Sequence, residues 1–238
     1  LFRGKVRLWQ PAKGFGYRFN MDSVFLAHFA RPGKRGVDLG AGCGVIGILM
    51  CYANKLEALA CIERQPEMAD LCRRNLGENE LEGVARVVET DLRDLPSLRA
   101  DTVVFNPPYF AVGSGRGSPN EGRDQGRFER HGTAGDFLRA ASAIVDPKGS
   151  VSLIIRAERY DEILASASGC KLEPRTERFI LSRVGDRPRN VLLELVPNGA
   201  ARVERLPDLI VHRGAGRAYT AEVKAIFEES KSWTMVQS

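Results

Sequence analysis

The 238-residue chain is 43% hydrophobic with a formal net charge of +5, which is apolar material for one sizeable core and suits a single large α/β domain better than two small ones. The charge permits an anionic partner such as nucleic acid without demanding one. Its five cysteines include no C-x-x-C pair, its three histidines lack ligand spacing and its longest apolar run is too short to span a bilayer, so a reduced cytoplasmic protein with no metal site and no membrane partner is expected.

Residues 1–34 read as a lead-in. Arg3 to Pro11 alternates like a hairpin strand, and Asp22-Ser23 looks like the N-cap of a helix over Val24 to Ala30. From residue 35 to 238 strands and helices alternate, which predicts one domain built on a mostly parallel sheet covered on both faces. Strands are expected at 35–39, 57–62, 84–89, 101–105, 149–155, 174–183 and 190–197, with helices at 44–54, 66–79, 134–145 and 157–168. The last two strands follow one another without a helix, so they pair as an antiparallel hairpin turned by Gly185-Asp186-Arg187-Pro188. Tyr219 to Glu229 has the apolar stripe of an amphipathic helix, carried by Val223, Ile226 and Phe227.

Four of these strands end in residues that carry chemistry. The first runs through Val37-Asp38-Leu39 into Gly40-Ala41-Gly42-Cys43-Gly44, a turn that lets backbone approach a nucleotide-type ligand. Val45 stands where a dinucleotide fingerprint needs its third glycine, which weakens a dinucleotide reading. The second strand ends in Glu63, about twenty residues past the glycine turn and suited to accept both ribose hydroxyls of an adenosine; an exposed strand-end charge is the plainer alternative. The third ends in Asp91, which either accepts from an adenine amine or caps the turn before Leu92-Arg93-Asp94.

The fourth strand, Asp101 to Phe105, runs into Asn106-Pro107-Pro108-Tyr109. An amide, two prolines with no N–H to donate and an aromatic ring make a rigid acceptor ledge beside a stacking surface. That suits a planar amide or amidine nitrogen held for alkylation, while a proline-rich turn closing a strand is the alternative. The long irregular segment 111–133 leaves directly from this ledge, and Arg123, Arg127 and Arg130 recur in it at helical spacing. They form either a docking face or, with Glu121, Asp124 and Glu129 nearby, a solvated one.

These motifs resemble those of the class I S-adenosylmethionine-dependent methyltransferases, and most of all the bacterial adenine-N6 methyltransferases of adenosine 37 in valine tRNA. The resemblance runs from Tyr17-Arg18-Phe19-Asn20-Met21-Asp22 through the glycine turn and Asn106 to Phe110 to the closing hairpin and helix. It implies a Rossmann-like seven-stranded sheet, mostly parallel with an antiparallel C-terminal hairpin. S-adenosylmethionine is the implied cofactor, bordered by Asp38, Gly40, Gly42, Gly44, Glu63, Asp91 and Asn106. Asn106 and the Pro107 carbonyl then accept from the target amine, Tyr109 stacks on the base, and Pro108, Phe110, Arg116, Arg123, Arg127 and Arg130 meet an RNA substrate, tRNA foremost. Rival readings are a glutamine-N5 protein methyltransferase, a guanine-N2 rRNA methyltransferase, and an RNA-interaction protein that binds cofactor without turnover.

Overall fold

A computed structural model describes residues 5–11, 20–107, 132–199 and 202–228. In chain order it places α1 (Met21–Phe29), β1 (Gly33–Leu39), α2 (Val45–Tyr52), β2 (Leu56–Glu63), α3 (Pro66–Glu78), β3 (Ala85–Glu89), β4 (Ala100–Phe105), α4 (Ala134–Ile144), β5 (Val145–Arg156), α5 (Tyr160–Gly169), β6 (Leu172–Leu181), β7 (Asn190–Pro197), β8 (Glu204–Arg205), β9 (Leu209–Ile210) and α6 (Ala221–Glu228). The sheet order is β3-β2-β1-β4-β5-β7-β6-β8, and β9 also pairs with β6. All seven expected strands are present, and the two short ones extend the edge.

The first five strands are parallel, and β7 runs antiparallel to both β5 and β6. Since β6 is thereby parallel to β4, its C-terminal end lies at the same edge of the sheet. The strands bury residues on both faces in alternation, as parallel strands between helices must. Leu59, Cys61, Val104 and Ile154 pack with α1, α2, α3 and α6, whereas Ala60, Ile62, Val103, Phe105, Leu153 and Ile155 pack with α4 and α5. Chain direction of travel across the sheet reverses between β1 and β4, so the ligand crevice of such a sheet opens there, beyond the strand ends.

Three expectations need correction. Residues 5–11 are not in a strand, because side chains rather than a neighbouring strand satisfy their backbone. The Asn79 carboxamide accepts from Arg7 N–H (3.0 Å) and donates to the Arg7 carbonyl (2.7 Å). Fully buried Asn75 does the same for Trp9 (2.6 and 2.8 Å) and also donates to the Cys43 carbonyl in the glycine turn (2.8 Å). Asn75 on α3 and Asn79 at its C-cap, four residues apart, thus stand in for a strand edge. Each buried polar group left unmet there would cost about 1–3 kcal/mol.

The cap of α1 is Asn20 rather than Asp22-Ser23: its side-chain oxygen accepts from Asp22 N–H at 2.9 Å. Asp22 instead faces Asn190 at the start of β7, which donates to it at 2.9 Å. Finally, the helix expected over 157–168 opens as a single 3-10 turn, Ala157–Arg159, before α5 begins at Tyr160.

Candidate active site

Register brings the chemistry-bearing residues to one level. Asp38 on β1 pairs with Cys61 on β2 and with Val104 on β4. Counting two residues further along each strand, Gly40, Glu63 and Asn106 stand side by side, about 4.8 Å apart per strand. Glu63 itself pairs with Glu89 on β3, so Asp91 follows two residues above that row.

The glycine turn is shaped by its backbone and held by carboxylates. Gly42 and Gly44 have φ of 57° and 83°, in the left-handed region that glycine tolerates and branched residues avoid. They differ in what a side chain would meet. A Cβ on Gly44 falls 2.5 Å from the Cys72 sulfur, whereas one on Gly42 meets only the Met68 methyl, at 3.6 Å. Gly44 therefore serves packing, and Gly42 keeps the outer surface of the turn clear.

Glu63 is buried, with 6% exposure. One of its oxygens accepts from Gly42 N–H at 2.8 Å; the other accepts from the N–H groups of Arg64 (2.9 Å) and Gln65 (2.8 Å). A carboxylate offers about four acceptor positions. Three are occupied here, which leaves room for one hydroxyl rather than the pair expected from the sequence.

Asp38, only 1% exposed, accepts from Gly47 N–H through Oδ2 at 3.0 Å. Its Oδ1 is buried and meets no donor among the described residues. Burial pushes this carboxyl up to about 7; the Gly47 N–H opposes that shift and the neighbouring Glu63 charge adds to it. The turn thus contains a buried acceptor still in want of a cation or a donor.

Asp91 is already engaged. It caps the turn Leu92–Asp94 by accepting from Arg93 N–H (3.0 Å), and it pairs with Arg93 Nε (2.8 Å), Arg93 Nη2 (2.6 Å) and Arg64 Nη1 (2.9 Å). The Arg93 guanidinium, with Arg64, holds its carboxyl well below the usual carboxylate range. Four donors fill its acceptor positions, so the capping role is the one occupied here. An adenine amine reaches Asp91 only if an arginine gives way.

At the end of β4, Phe105 is fully buried, its ring 5.3 Å from that of Phe137 on α4. Asn106 follows half-buried and Pro107 buried. Phe137 also lies under the glycine turn, where a Cβ on Gly40 would meet its ring at 2.9 Å. One aromatic ring thereby fixes the separation between the turn and the ledge. Thr133 and Asp136 cap α4 reciprocally and hold Phe137 in place. Pro108, Tyr109, Phe110, Arg116, Arg123, Arg127 and Arg130 lie outside the described residues.

Sequence reasoning missed Asn75, Asn79, Arg64 and Phe137. The available signal for Asn75 was an amide adjoining the apolar stripe Met68, Cys72 and Leu76 of α3. Among the described residues no three His, Cys, Asp or Glu side chains group as metal ligands, and no helix is long and apolar enough to cross a membrane.

Comparison with known proteins agrees with this geometry. Residues 20–121 match the family model of the methyltransferase small domain. The chain is 26% identical over 188 residues to the tRNA1(Val) (adenine(37)-N6)-methyltransferase of Aeromonas salmonicida, covering 79% of this chain and 78% of the relative. It is 25% identical over 167 residues to an rRNA N(6)-adenosine-methyltransferase of Caenorhabditis elegans, covering 68% and 71%. A crystal structure from Agrobacterium tumefaciens, described as a predicted O-methyltransferase, superposes with a TM-score of 0.68 at 26% identity and covers 88% of this chain and 96% of that one. The family match, the relatives and a glycine turn level with an Asn-Pro strand end at the sheet's switch point all point the same way: over residues 20–121 the chain is similar to the methyltransferase small domain, carried on an α/β sheet like that of the Agrobacterium tumefaciens structure.

Proposed function

We propose that this chain transfers a methyl group from S-adenosylmethionine to the N6 amine of an adenine in tRNA. The observation that carries this reading is the level row of Gly40, Glu63 and Asn106, which sets an amide acceptor beside a cofactor turn. An amide beside buried Pro107 offers acceptors to an amine but no strong base for a hydroxyl, which favours nitrogen over oxygen as the target. Relatives acting on adenine-N6 in tRNA and in rRNA support the same atom. A tRNA substrate places the reaction in the cytoplasm.

The residues fit the cofactor. Asp38 Oδ1 is a buried acceptor without a donor among the described residues, suited to a cationic group; Glu63 has one acceptor position left for a ribose hydroxyl. Gly42 presents bare backbone. When bound, the cofactor supplies an electrophilic methyl group. Asn106 and the Pro107 carbonyl accept the two amine hydrogens and turn the nitrogen lone pair toward it. That amine is a poor nucleophile because its lone pair is delocalised into the ring, so alignment is the main contribution. Well-oriented reactants gain roughly 7–11 kcal/mol. The alkylated nitrogen is acidic enough to pass its proton to the ledge or to water. Tyr109 stacks on the base, which must leave its own stack to arrive.

Labelled methyl transfer to total tRNA and, separately, to rRNA from a strain lacking the enzyme, followed by nucleoside mass analysis, tests the reading. N6-methyladenosine in tRNA is the expected product. Label in rRNA alone, or in protein, overturns the tRNA assignment.

Gly42→Val separates cofactor binding from folding. Its Cβ meets only the Met68 methyl, so the fold bears mainly the strain of a left-handed branched residue, roughly 1–2 kcal/mol. The side chain then occupies the cleared outer surface of the turn. Calorimetry is expected to find no measurable S-adenosylmethionine binding in a protein that still melts cooperatively. Unchanged affinity would remove the turn from the cofactor site.

A further inference from the structure

We propose that the β6–β7 turn and the loop leading into α6 form one arginine platform that docks the phosphate backbone of the RNA substrate, separate from the segment after β4. The inference rests on the RNA reading above and extends it to residues that the sequence motifs do not include.

Both loops lie at the active-site edge. β6 is parallel to β4, and β9 runs parallel to β6 with Leu209 and Ile210 opposite Ile180 and Leu181. The residues that follow each strand therefore emerge beside one another, three strand steps from Asn106 for β6 and four for β9. At about 4.8 Å per step that is a lateral distance of roughly 14–19 Å, a span that a base turned out of its stack and the adjoining backbone can bridge.

The two loops are one built object. Arg183 lies across them, donating to the carbonyls of Gly214 (2.9 Å), Ala215 (3.3 Å) and Gly216 (3.2 Å). Asp186 N–H to the Arg183 carbonyl closes the turn, and Arg213 N–H to the Ala218 carbonyl closes the loop. The His212 ring stacks on Tyr219 at its base.

This platform presents Arg187, Arg189, Arg213 and Arg217, all exposed, against the single acid Asp186. None of the four forms an ion pair among the described residues. Elsewhere Arg35, Arg73, Arg93 and Arg159 each hold a carboxylate. Four guanidinium groups without internal partners suit a run of phosphates, each of which takes such a group bidentately. Val184 at the tip of the turn is 84% exposed, the most exposed large apolar side chain among the described residues. It offers a ribose or base face an apolar contact beside the charges, which a merely solvated loop does not require. A protein substrate docked here would call for acidic side chains at matching spacing, and the test distinguishes it.

The experiment compares wild type with the quadruple variant Arg187→Ala, Arg189→Ala, Arg213→Ala, Arg217→Ala, leaving Arg183 to hold the loops. Binding to unmodified tRNA is measured across a salt series, alongside cofactor affinity and methyl-transfer kinetics. For every phosphate that is no longer neutralised, the log–log salt slope is expected to fall by about 0.7–0.9. KM for tRNA rises at least tenfold, while kcat at saturating RNA and cofactor affinity stay at wild-type values. Restoring all four positions as lysine recovers the slope. The pair Arg187→Ala, Arg189→Ala, confined to the exposed turn, gives a proportionate change and serves if the quadruple variant folds poorly. Equal slopes and KM in a wild type that methylates tRNA overturn the platform and leave the RNA reading standing. A wild type that neither binds nor methylates RNA overturns both, and methyl transfer to protein that drops in the quadruple variant assigns the platform to an acidic protein instead.

Discussion

Replacing Asn106 by alanine is expected to slow methyl transfer by on the order of 10²–10³-fold at saturating substrate, the scale seen when one preorganised polar group is removed from a reacting centre. Asn106 leaves β4 level with Gly40, which sets it beside the glycine turn at the end of the strand. Alanine keeps the backbone and the adjoining Pro107 but removes the side-chain acceptor that sets the direction of the lone pair. Cofactor affinity is expected to hold near the wild-type value, because Asp38, Glu63 and Gly42 retain their hydrogen bonds. Single-turnover measurement with preloaded cofactor separates the two effects. Near-normal turnover in the variant would leave the amide with no part in the chemistry, and the Pro107 carbonyl and alignment by the base pocket would have to account for the rate.

The sheet was legible because most of its strands carry a short apolar run bounded by turn residues, as Val103-Val104-Phe105 does in β4 and Val191-Leu192-Leu193 in β7, although β6 is largely polar until Phe179-Ile180-Leu181. The order of strand-end motifs was also legible, since each is contiguous in sequence. What sequence could not supply was occupancy. Glu63 reads as a ribose ligand, yet it is also the clamp on Gly42, a bond made across 21 residues. Asp91 reads equally as ligand or cap, and only the positions of Arg64 and Arg93 decide which donors hold it. The segment at residues 5–11 misled for a related reason: its alternation is real, but its partner is a pair of asparagines at the C-terminal end of α3 rather than a strand. Pairings between distant positions leave no periodic trace. The arginines at the β6–β7 turn were visible only as a turn signal, because their meeting with residues 213–217 depends on β9 joining β6.

Asp38 is the residue for which burial makes the sharpest forecast. Its folded-state carboxyl stands at about 7, above the unfolded value of 3.8, with desolvation as the main cause. Between those values the folded chain holds a proton that the unfolded chain has released, so stability falls as pH climbs from about 4 to about 7. Each tenfold difference in proton affinity between the two states corresponds to about 1.4 kcal/mol. Asp38→Asn keeps an oxygen for Gly47 N–H and has no proton to lose. Without ligand, it is expected to match wild type near pH 4 and to exceed it in melting temperature by several degrees at neutral pH and above. Cofactor binding should show the opposite preference. A cationic group seated against Oδ1 favours the ionised carboxyl, so wild-type affinity should strengthen close to tenfold per pH unit up to about 7 and then level, with a proton released on binding. The asparagine variant should bind weakly at every pH and release no proton. Calorimetry in two buffers of different ionisation heat measures both quantities. If Asp38→Asn kept the wild-type pH dependence and proton release, the titrating group would lie elsewhere, and the buried Oδ1 would be a structural acceptor with no cofactor to meet.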